Sequence, residues 1–389
     1  MTTVTSGQTL NISAGQTSSG IVVEGGGKLD VLSGGVADGT VLSGGDVTFF
    51  LGDPAVLEVE AGGVASGTVV NDGSTVDVRG VADGTVVSGA FGSDGALYVL
   101  SGGIASGTVL SGFGRGAFLY VESGGVASGT VISADGIVDV YFGGIAAGAV
   151  ISSGGYEYVI SGGVAGATVV NSGGVESILN GVASGAVVSS GGDLYIGDGV
   201  VSGAVVSSGG EVDRVTLTSA YGQWSTDGVN VIGGVTIESG AIASIEIDEG
   251  GSISGLIIAA LPIIFGYDLV NSGGVADGAV INGGLLVVWS GGVASGTVVS
   301  SGGGLSIDGG GVASDTVVGS GGDLFIDGGV ASGTVVSSGG SQIVLARGVA
   351  SDTTVMPGGF EFVSRGGMTR RTLLSGGSEN VSAHGIASG

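Results

Sequence analysis

Hydrophobic residues recur along this chain in short runs separated by glycine-rich turns. A phrase of the form V-A-[S/D]-G-T-V-V returns about every 18 or 19 residues, as in the steps from Val293 to Val312 and to Val330. A fixed period of this length is the sequence signature of a repeat architecture. The clear copies open at Val36, Val64, Val81, Ile104, Val126, Ile145, Val164, Val182, Val200, Val275, Val293, Val312, Val330 and Val349, and degenerate copies open at Thr17, Val231, Ser252, Met368 and Ile386.

Each repeat predicts two strands and two turns. The first strand is the Thr-Val-Val segment, and we expect its first valine, for example Val298, to point inward. A Ser-Gly-Gly turn follows, and then a second strand alternates apolar and variable residues, as in Leu305-Ser306-Ile307. Alternation with a period of two buries one face of a strand and exposes the other.

One repeat cannot bury its own apolar face, whereas stacked copies share a continuous core. The sequence therefore predicts an all-β fold, a right-handed parallel β-helix (β-solenoid) of about nineteen rungs, where a rung is the set of strands that one repeat contributes. We expect a single repeat domain over residues 1–389. The longer steps between phrases predict loop insertions around residues 44–60, 88–96, 111–118 and 207–230.

The composition of the chain excludes several classes of partner and site. The chain has 34 acidic and 8 basic residues, a formal net charge of −26 and no cysteine. Such a charge repels phosphate backbones and anionic lipids, so nucleic acid and membrane surfaces are poor partners. Without cysteine there is neither a disulfide nor a thiolate metal site. The first residues contain no basic and apolar segments of a Sec-type signal peptide.

The repeats resemble a known family. Ser290-Gly291-Gly292-Val293-Ala294-Ser295-Gly296-Thr297-Val298-Val299-Ser300-Ser301-Gly302-Gly303 is similar to the AIDA-type repeats of bacterial autotransporter adhesin passenger domains. The resemblance implies a β-helix on a Gram-negative cell surface, active in adhesion, autoaggregation or biofilm formation. It also implies heptose on repeat hydroxyls, added by a heptosyltransferase. The glycan-acceptor candidates are Thr68, Thr85, Thr108, Thr130, Thr297 and Thr334, or the adjacent repeat serines.

A partial column of aromatic residues occupies the variable position of the second strand. Two interpretations are open: the rings stack between rungs and stabilise the sheet, or they form a stripe that binds sugars or a protein partner. The column comprises Tyr98, Tyr120, Tyr158, Tyr195, Phe325 and Phe362.

Catalytic chemistry has little support. The single histidine, His384, makes a Ser-His-Asp triad hard to assemble. Polysaccharide-cleaving enzymes need paired carboxylates, and the candidate pairs Glu58 with Glu60 and Glu246 with Asp248 fit solvated outer faces better. Asp308 and Asp327 take equivalent places in consecutive repeats and suggest at most a weak calcium site.

The sequence thus predicts a non-catalytic, extracellular adhesin or self-association module without cofactors. Its expected partners are surface glycans of host or bacterium, or further copies of itself, joined laterally or end to end. The end-to-end mode is suggested because Gly385–Gly389 and Thr2–Ile12 together make one nearly complete repeat. The alternatives are a β-helical polysaccharide-processing enzyme and a phage-type receptor-binding fibre.

Overall fold

A computed structural model describes most of the chain. It omits residues 1, 45–52, 90–93, 113–115, 198, 218–220, 224–229, 233–234, 238–241, 248–251, 255–256 and 260–266, and within 214–267 it describes backbone strands and the side chain of Val235 alone. The chain divides into two compact units, Met1–Asp213 and Arg214–Gly389. Each unit is a parallel β-solenoid, which confirms the predicted all-β fold class.

Each regular rung contributes three strands, one more than the sequence predicted. In one rung of the first unit they are Val126–Ser128, Val131–Ser133 and Gly136–Val140. The Val-Ala-Ser segment, which lies before the predicted first strand, is a strand of its own because it pairs with its equivalents in the neighbouring rungs. We call the resulting sheets the Val-Ala sheet, the Val-Val sheet and the long-strand sheet.

In the first unit the Val-Ala sheet comprises Thr17–Ser19, Val36–Asp38, Val64–Ser66, Val81–Asp83, Ile104–Ser106, Val126–Ser128, Ile145–Ala147, Val164–Gly166, Val182–Ser184 and Val200–Ser202. The Val-Val sheet comprises Thr3–Val4, Val22–Glu24, Val41–Ser43, Val69–Val70, Val86–Gly89, Val109–Gly112, Val131–Ser133, Val150–Ile151, Val169–Val170, Val187–Val188 and Ala204–Val206. The long-strand sheet comprises Thr9–Ile12, Lys28–Val31, Ala55–Val59, Ser74–Val78, Gly95–Val99, Ala117–Val121, Gly136–Val140, Tyr156–Ile160, Val175–Leu179, Asp193–Gly197 and Glu211–Leu217.

In the second unit the Val-Ala sheet comprises Tyr221–Gln223, Ser252–Ser254, Val275–Asp277, Val293–Ser295, Val312–Ser314, Val330–Ser332, Val349–Ser351, Met368–Arg370 and Ile386–Ser388. The Val-Val sheet comprises Ile257–Ala259, Val280–Asn282, Val298–Val299, Val317–Val318, Val335–Val336, Thr354–Val355 and Leu373–Leu374. The long-strand sheet comprises Ile242–Ile247, Tyr267–Val270, Leu285–Val288, Gly304–Asp308, Asp323–Asp327, Ser341–Val344, Phe360–Val363 and Ser378–Val381. Asn230–Ile232 pairs antiparallel with Val235–Ile237.

The rungs stack in register, so equivalent residues form columns inside each unit. Ala105, Ala127 and Ala146 lie one above another in the Val-Ala sheet and are almost fully buried. Leu97 and Leu119 do the same in the long-strand sheet. Burial of these columns removes apolar surface from water, which stabilises the fold by about 25 cal/mol for each Å² buried. The core of each unit is therefore shared between rungs, as the sequence pattern predicted.

The Val-Val strands correct one prediction about the core. Val298, expected to point inward, is 37% exposed, whereas Val299 has no exposed surface. Thr297, just before the strand, is also fully buried. Alternation along Thr-Val-Val thus buries the threonine and the second valine.

Two successive glycines at the Ser-Gly-Gly corner are required for different reasons. Gly124 has a φ of 76°, and Ser101 Oγ of the preceding rung lies 2.9 Å from where its Cβ would be. Gly125 allows the chain to pass so close to the preceding rung that a Cβ would lie 2.2 Å from Val99 O. A side chain at either glycine is therefore disfavoured, by backbone conformation at the first and by close approach at the second.

Three of the predicted insertions fall at one kind of corner. The longer steps around residues 44–60, 88–96 and 111–118 each lie between a Val-Val strand and the next long strand, as between Val86–Gly89 and Gly95–Val99. The fourth, around 207–230, lies largely outside the residues whose side chains are described.

Candidate functional site

An aromatic groove interrupts the regular outer surface of the first unit. Tyr98 and Tyr120 occupy directly opposed outward positions on neighbouring long strands, and their ring centroids lie 4.8 Å apart. Tyr141 continues the stack, with its ring centroid 6.3 Å from that of Tyr120. Phe142 projects beside them and is 71% exposed. The groove has a volume of about 860 Å³ and is completed by Glu122, Ser123, Ile160 and Ser161.

The groove combines ring faces with carboxylates. Tyr141 donates a hydrogen bond from its hydroxyl to Asp139 Oδ2 at 3.2 Å. Burial raises the pKa of Asp139 above its usual range, and burial, followed by the Asp139 carboxylate, raises the pKa of Tyr141 to about 12. Burial likewise raises the pKa of Tyr98 and of Tyr120. The three tyrosine hydroxyls are therefore neutral hydrogen-bonding groups at physiological pH.

Residues 116–213, which supply Tyr120, Tyr141 and Phe142, contain neither lysine nor arginine. Stacked rings beside hydrogen-bonding hydroxyls and carboxylates suit a ligand with a flat apolar face and several hydroxyl groups.

The structure brings only part of the predicted aromatic column together. Tyr98 and Tyr120 stack, but Asp139 and Ser177 separate Tyr158 and Tyr195 from them and from each other along the column. In the second unit Ile343 lies between Phe325 and Phe362. All six side chains face outward, as predicted.

Sequence reasoning missed Tyr141 and Phe142. They precede Gly143-Gly144, where neighbouring repeats have Leu-Ser or Glu-Ser before the two glycines. Phe142 thus replaces the exposed serine of the corner, and its ring lies against the position where Gly162 of the next rung would carry a Cβ. Two consecutive aromatic residues at a corner that otherwise carries serine were the available signal.

The six threonines named as glycan-acceptor candidates are all buried in the folded chain. A hydroxyl that faces the core cannot enter the active site of a glycosyltransferase. Each of these threonines has between 0% and 3% of its surface exposed to solvent: Thr68, Thr85, Thr108, Thr130, Thr297 and Thr334.

Serines of the same repeats occupy outward positions instead. In the Val-Ala sheet of the second unit, Ser295, Ser314, Ser332 and Ser351 form one continuous column on consecutive rungs. In the first unit, Ser66 donates a hydrogen bond to Asp38 Oδ1 at 2.8 Å and Ser106 donates one to Asp83 Oδ1 at 2.5 Å. The corner serines, such as Ser101, are exposed.

The remaining candidates for chemistry are dispersed. His384 is exposed and has a φ of 70°. Glu58 forms an ion pair with Lys28 at 2.9 Å, and Glu60 one with Arg79 at 3.8 Å. The side chain of Glu246 and all of Asp248 lie outside the described residues.

Asp308 and Asp327 are directly opposed on neighbouring strands. Asp308 also accepts a hydrogen bond from Ser306 at 2.7 Å. Among the residues that the structure describes, no three His, Cys, Asp or Glu side chains are grouped so that they could hold a metal ion. In the same part of the chain, no helix is long and apolar enough to cross a membrane.

Comparisons with known proteins extend this picture. Residues 323–377 match the AIDA family, described as "Adhesin of bacterial autotransporter system, probable stalk". This confirms the resemblance to AIDA-type repeats over the matched segment. Curated proteins yield no match to the chain. Among solved structures, a crystal structure of a TibC-catalysed hyper-glycosylated TibA fragment is 26% identical, with 100% of this chain and 98% of that chain covered and a TM-score of 0.29. A superposition this loose carries no argument about the present chain.

Proposed function

We propose that the chain is the non-catalytic stalk of a bacterial surface adhesin, exposed to the extracellular medium of a Gram-negative cell. The observation that carries the proposal is the match of residues 323–377 to an adhesin stalk family. It is supported by the same three-strand rung recurring in both units. A stalk of this kind presents surfaces to partners and needs neither cofactor nor catalytic group.

The aromatic groove is the proposed adhesive surface of the stalk, and its proposed ligand is a surface glycan. A sugar ring would pack against the exposed sides of the stacked Tyr98 and Tyr120 rings, and its hydroxyls would bond to Tyr141 and the nearby carboxylates. An aromatic contact contributes about 0.5–1.5 kcal/mol beyond the burial of its area. Loss of one stacking ring should therefore weaken binding roughly tenfold.

Binding to an array of neutral, acidic and amino sugars tests this surface. We expect Tyr120→Ala to weaken binding of the best-bound sugar roughly tenfold and Tyr195→Ala to leave it unchanged. Tyr195 is the matched control because it faces outward in the same column but does not line the groove. Equal loss in both variants, or no binding by the parent protein, would reject the groove as the adhesive surface.

Modification by a heptosyltransferase is a further part of the proposal. The acceptors would be the outward serines, such as Ser314 and Ser332, because the repeat threonines are buried. Intact mass of protein taken from its native cell surface should exceed the sequence mass by whole heptose residues. Peptide mapping should place them on serines, and an unmodified native mass would exclude this part.

Lateral self-association is a second candidate, favoured by apolar side chains on the outside of the Val-Val sheet. Val86, Val131 and Val187 are each 38–39% exposed there. The net charge of −26 opposes such contacts, and salt screens that repulsion. Sedimentation velocity should therefore show association that increases with ionic strength. End-to-end association would give growth along the solenoid axis in electron micrographs, whereas lateral contacts would give bundles.

A further inference from the structure

Two glutamates replace core residues on consecutive rungs of the first unit. Glu157 and Glu176 are directly opposed on neighbouring long strands, and neither has exposed surface. Leu119 and Val138 precede them in the same inward column, and Leu194 follows. The pairing register of these strands is unbroken, so the carboxyl groups point into the shared core.

These carboxyl groups have too few partners to remain charged. Thr168 donates its hydroxyl to Glu157 Oε2 at 3.0 Å. Glu157 Oε1 and both carboxyl oxygens of Glu176 have no hydrogen-bond partner within 3.5 Å, and burial and the Glu157 charge outweigh the effect of the Thr168 hydroxyl on Glu176. With no lysine or arginine between residues 116 and 213, no counter-charge comes from this part of the chain. A buried carboxylate without a counter-charge is costly, and two of them repel each other.

The surrounding elements offer no other titratable group inside the core. Apart from Thr168, the inward side chains that surround the pair are apolar: Val138, Leu194, Ile151, Val170, Val188, Ala146, Ala165 and Ala183. The titratable side chains of the adjoining strands lie on the outer face: Asp139, Tyr156, Tyr158, Asp193 and Tyr195.

We propose that Glu157 and Glu176 form a proton-dependent packing element, in which the rungs over residues 145–200 are tightly packed only while the carboxyl pair is protonated. Ionisation of the pair places two like charges in the core and loosens these rungs. The apolar surroundings also favour the protonated form of both carboxyl groups, because burial raises the pKa of Glu157 to about 7 and that of Glu176 to about 8. The neighbouring rungs, with Leu97 and Leu119 in the equivalent column, carry no such charge.

The sign of the pH effect follows from proton uptake. Both folded-state pKa values lie above the ordinary value of 4.5, so the folded chain holds more protons than the unfolded chain above that pH. The stabilising contribution is complete below about pH 4.5 and is lost as the pH rises through about 7 and 8. Linkage then predicts that local opening of these rungs increases at least about a hundredfold between about pH 5 and about pH 9.

Hydrogen exchange with mass spectrometry tests the proposal in the full chain. Protection factors, corrected for the intrinsic pH dependence of exchange, are compared between rungs 145–200 and rungs 81–133 of the same molecule. We expect protection at 145–200 to fall at least a hundredfold at high pH and protection at 81–133 to change little. An equal fall in both regions would overturn the proposal.

Two double variants identify the groups responsible. Glu157→Leu with Glu176→Leu continues the apolar column, and Glu157→Gln with Glu176→Gln keeps the shape without charge. Either should remove most of the pH dependence at 145–200, leaving the part due to Asp193, whose pKa burial raises to about 6, and the second keeps the test available if the first does not fold. Glu58→Gln, on the outer face, is the control that should retain it. Persistence of the full pH effect in the double variants, or recovery of protection at high pH on addition of calcium, would contradict a proton-dependent element.

Discussion

The inward position of Val299 and the outward position of its neighbour give a matched test of the core. Val299 lies between Ile281 and Val318, and all three have no exposed surface. Val298 is 37% exposed. Val299→Asp and Val298→Asp place the same chemical group one residue apart on one strand, so intrinsic strand propensity affects both alike.

The expected loss in the free energy of unfolding for Val299→Asp has two parts. The loss of a buried valine removes about 2 kcal/mol of apolar burial. The new carboxyl must be held neutral in the core, which at pH 7 costs about 4 kcal/mol for a group with an ordinary pKa near 3.9. The sum of about 6 kcal/mol exceeds the effect of most single substitutions. For Val298→Asp the carboxylate stays in water, and we expect a change within about 1 kcal/mol.

Urea unfolding followed by circular dichroism, with hydrogen exchange over residues 275–340, measures both effects. The deficit of Val299→Asp should shrink to about 2 kcal/mol at low pH, where the carboxyl is already protonated. Similar midpoints for the two variants at neutral pH, or a larger deficit for Val298→Asp, would refute the inward assignment of the second valine.

Three further predictions follow from single columns. Gly125→Ala should destabilise the first unit by several kcal/mol, because the new Cβ would lie 2.2 Å from Val99 O. Gly129→Ala should cost only about 1 kcal/mol, because there is open space around its Cβ and only its φ of 61° is unfavourable. Thermal unfolding of the two variants compares these losses. Thr316→Val should be neutral or stabilising by about 1 kcal/mol, because the buried hydroxyl of Thr316 has no partner, and a clear loss in urea unfolding would contradict this. Burial raises the pKa of Glu361 to about 7, so the second unit should lose about 3 kcal/mol of stability as the pH rises from 4.5 through about 7. In Glu361→Gln this loss should be absent. Urea unfolding midpoints at several pH values measure the difference.

The repeat period was sufficient to predict the fold class, because stacking of equivalent strands is the way such repeats bury their apolar faces. The direction of individual side chains was less certain. In Thr-Val-Val two adjacent residues are equally apolar, so composition does not distinguish Val298 from Val299. The Gly296 corner, with a φ of 60°, sets the phase of the alternation, and that phase depends on conformation rather than hydrophobicity.

The candidate site was predictable only in part. The outward column that contains Tyr98 and Tyr120 followed from alternation along the second strand. The groove itself arises because Tyr141 and Phe142 at a corner meet that column across rungs, which single-strand periodicity does not represent. Glu157 and Glu176 were visible at inward positions of their repeats, but a charged residue in the sequence is ordinarily placed outside.

The in-register columns also bear on how the gene can change. Most regular rungs contact their neighbours through equivalent surfaces, such as alanine on alanine across Ala294, Ala313 and Ala331. Removal of the residues between one phrase and the next would bring together two faces that already match. Unequal recombination between near-identical repeats, such as those opening at Val293 and Val312, therefore yields a solenoid with fewer or more rungs. The new contact between rungs is packed like the existing ones. The genome can adjust how many rungs a unit has without evolving a new core.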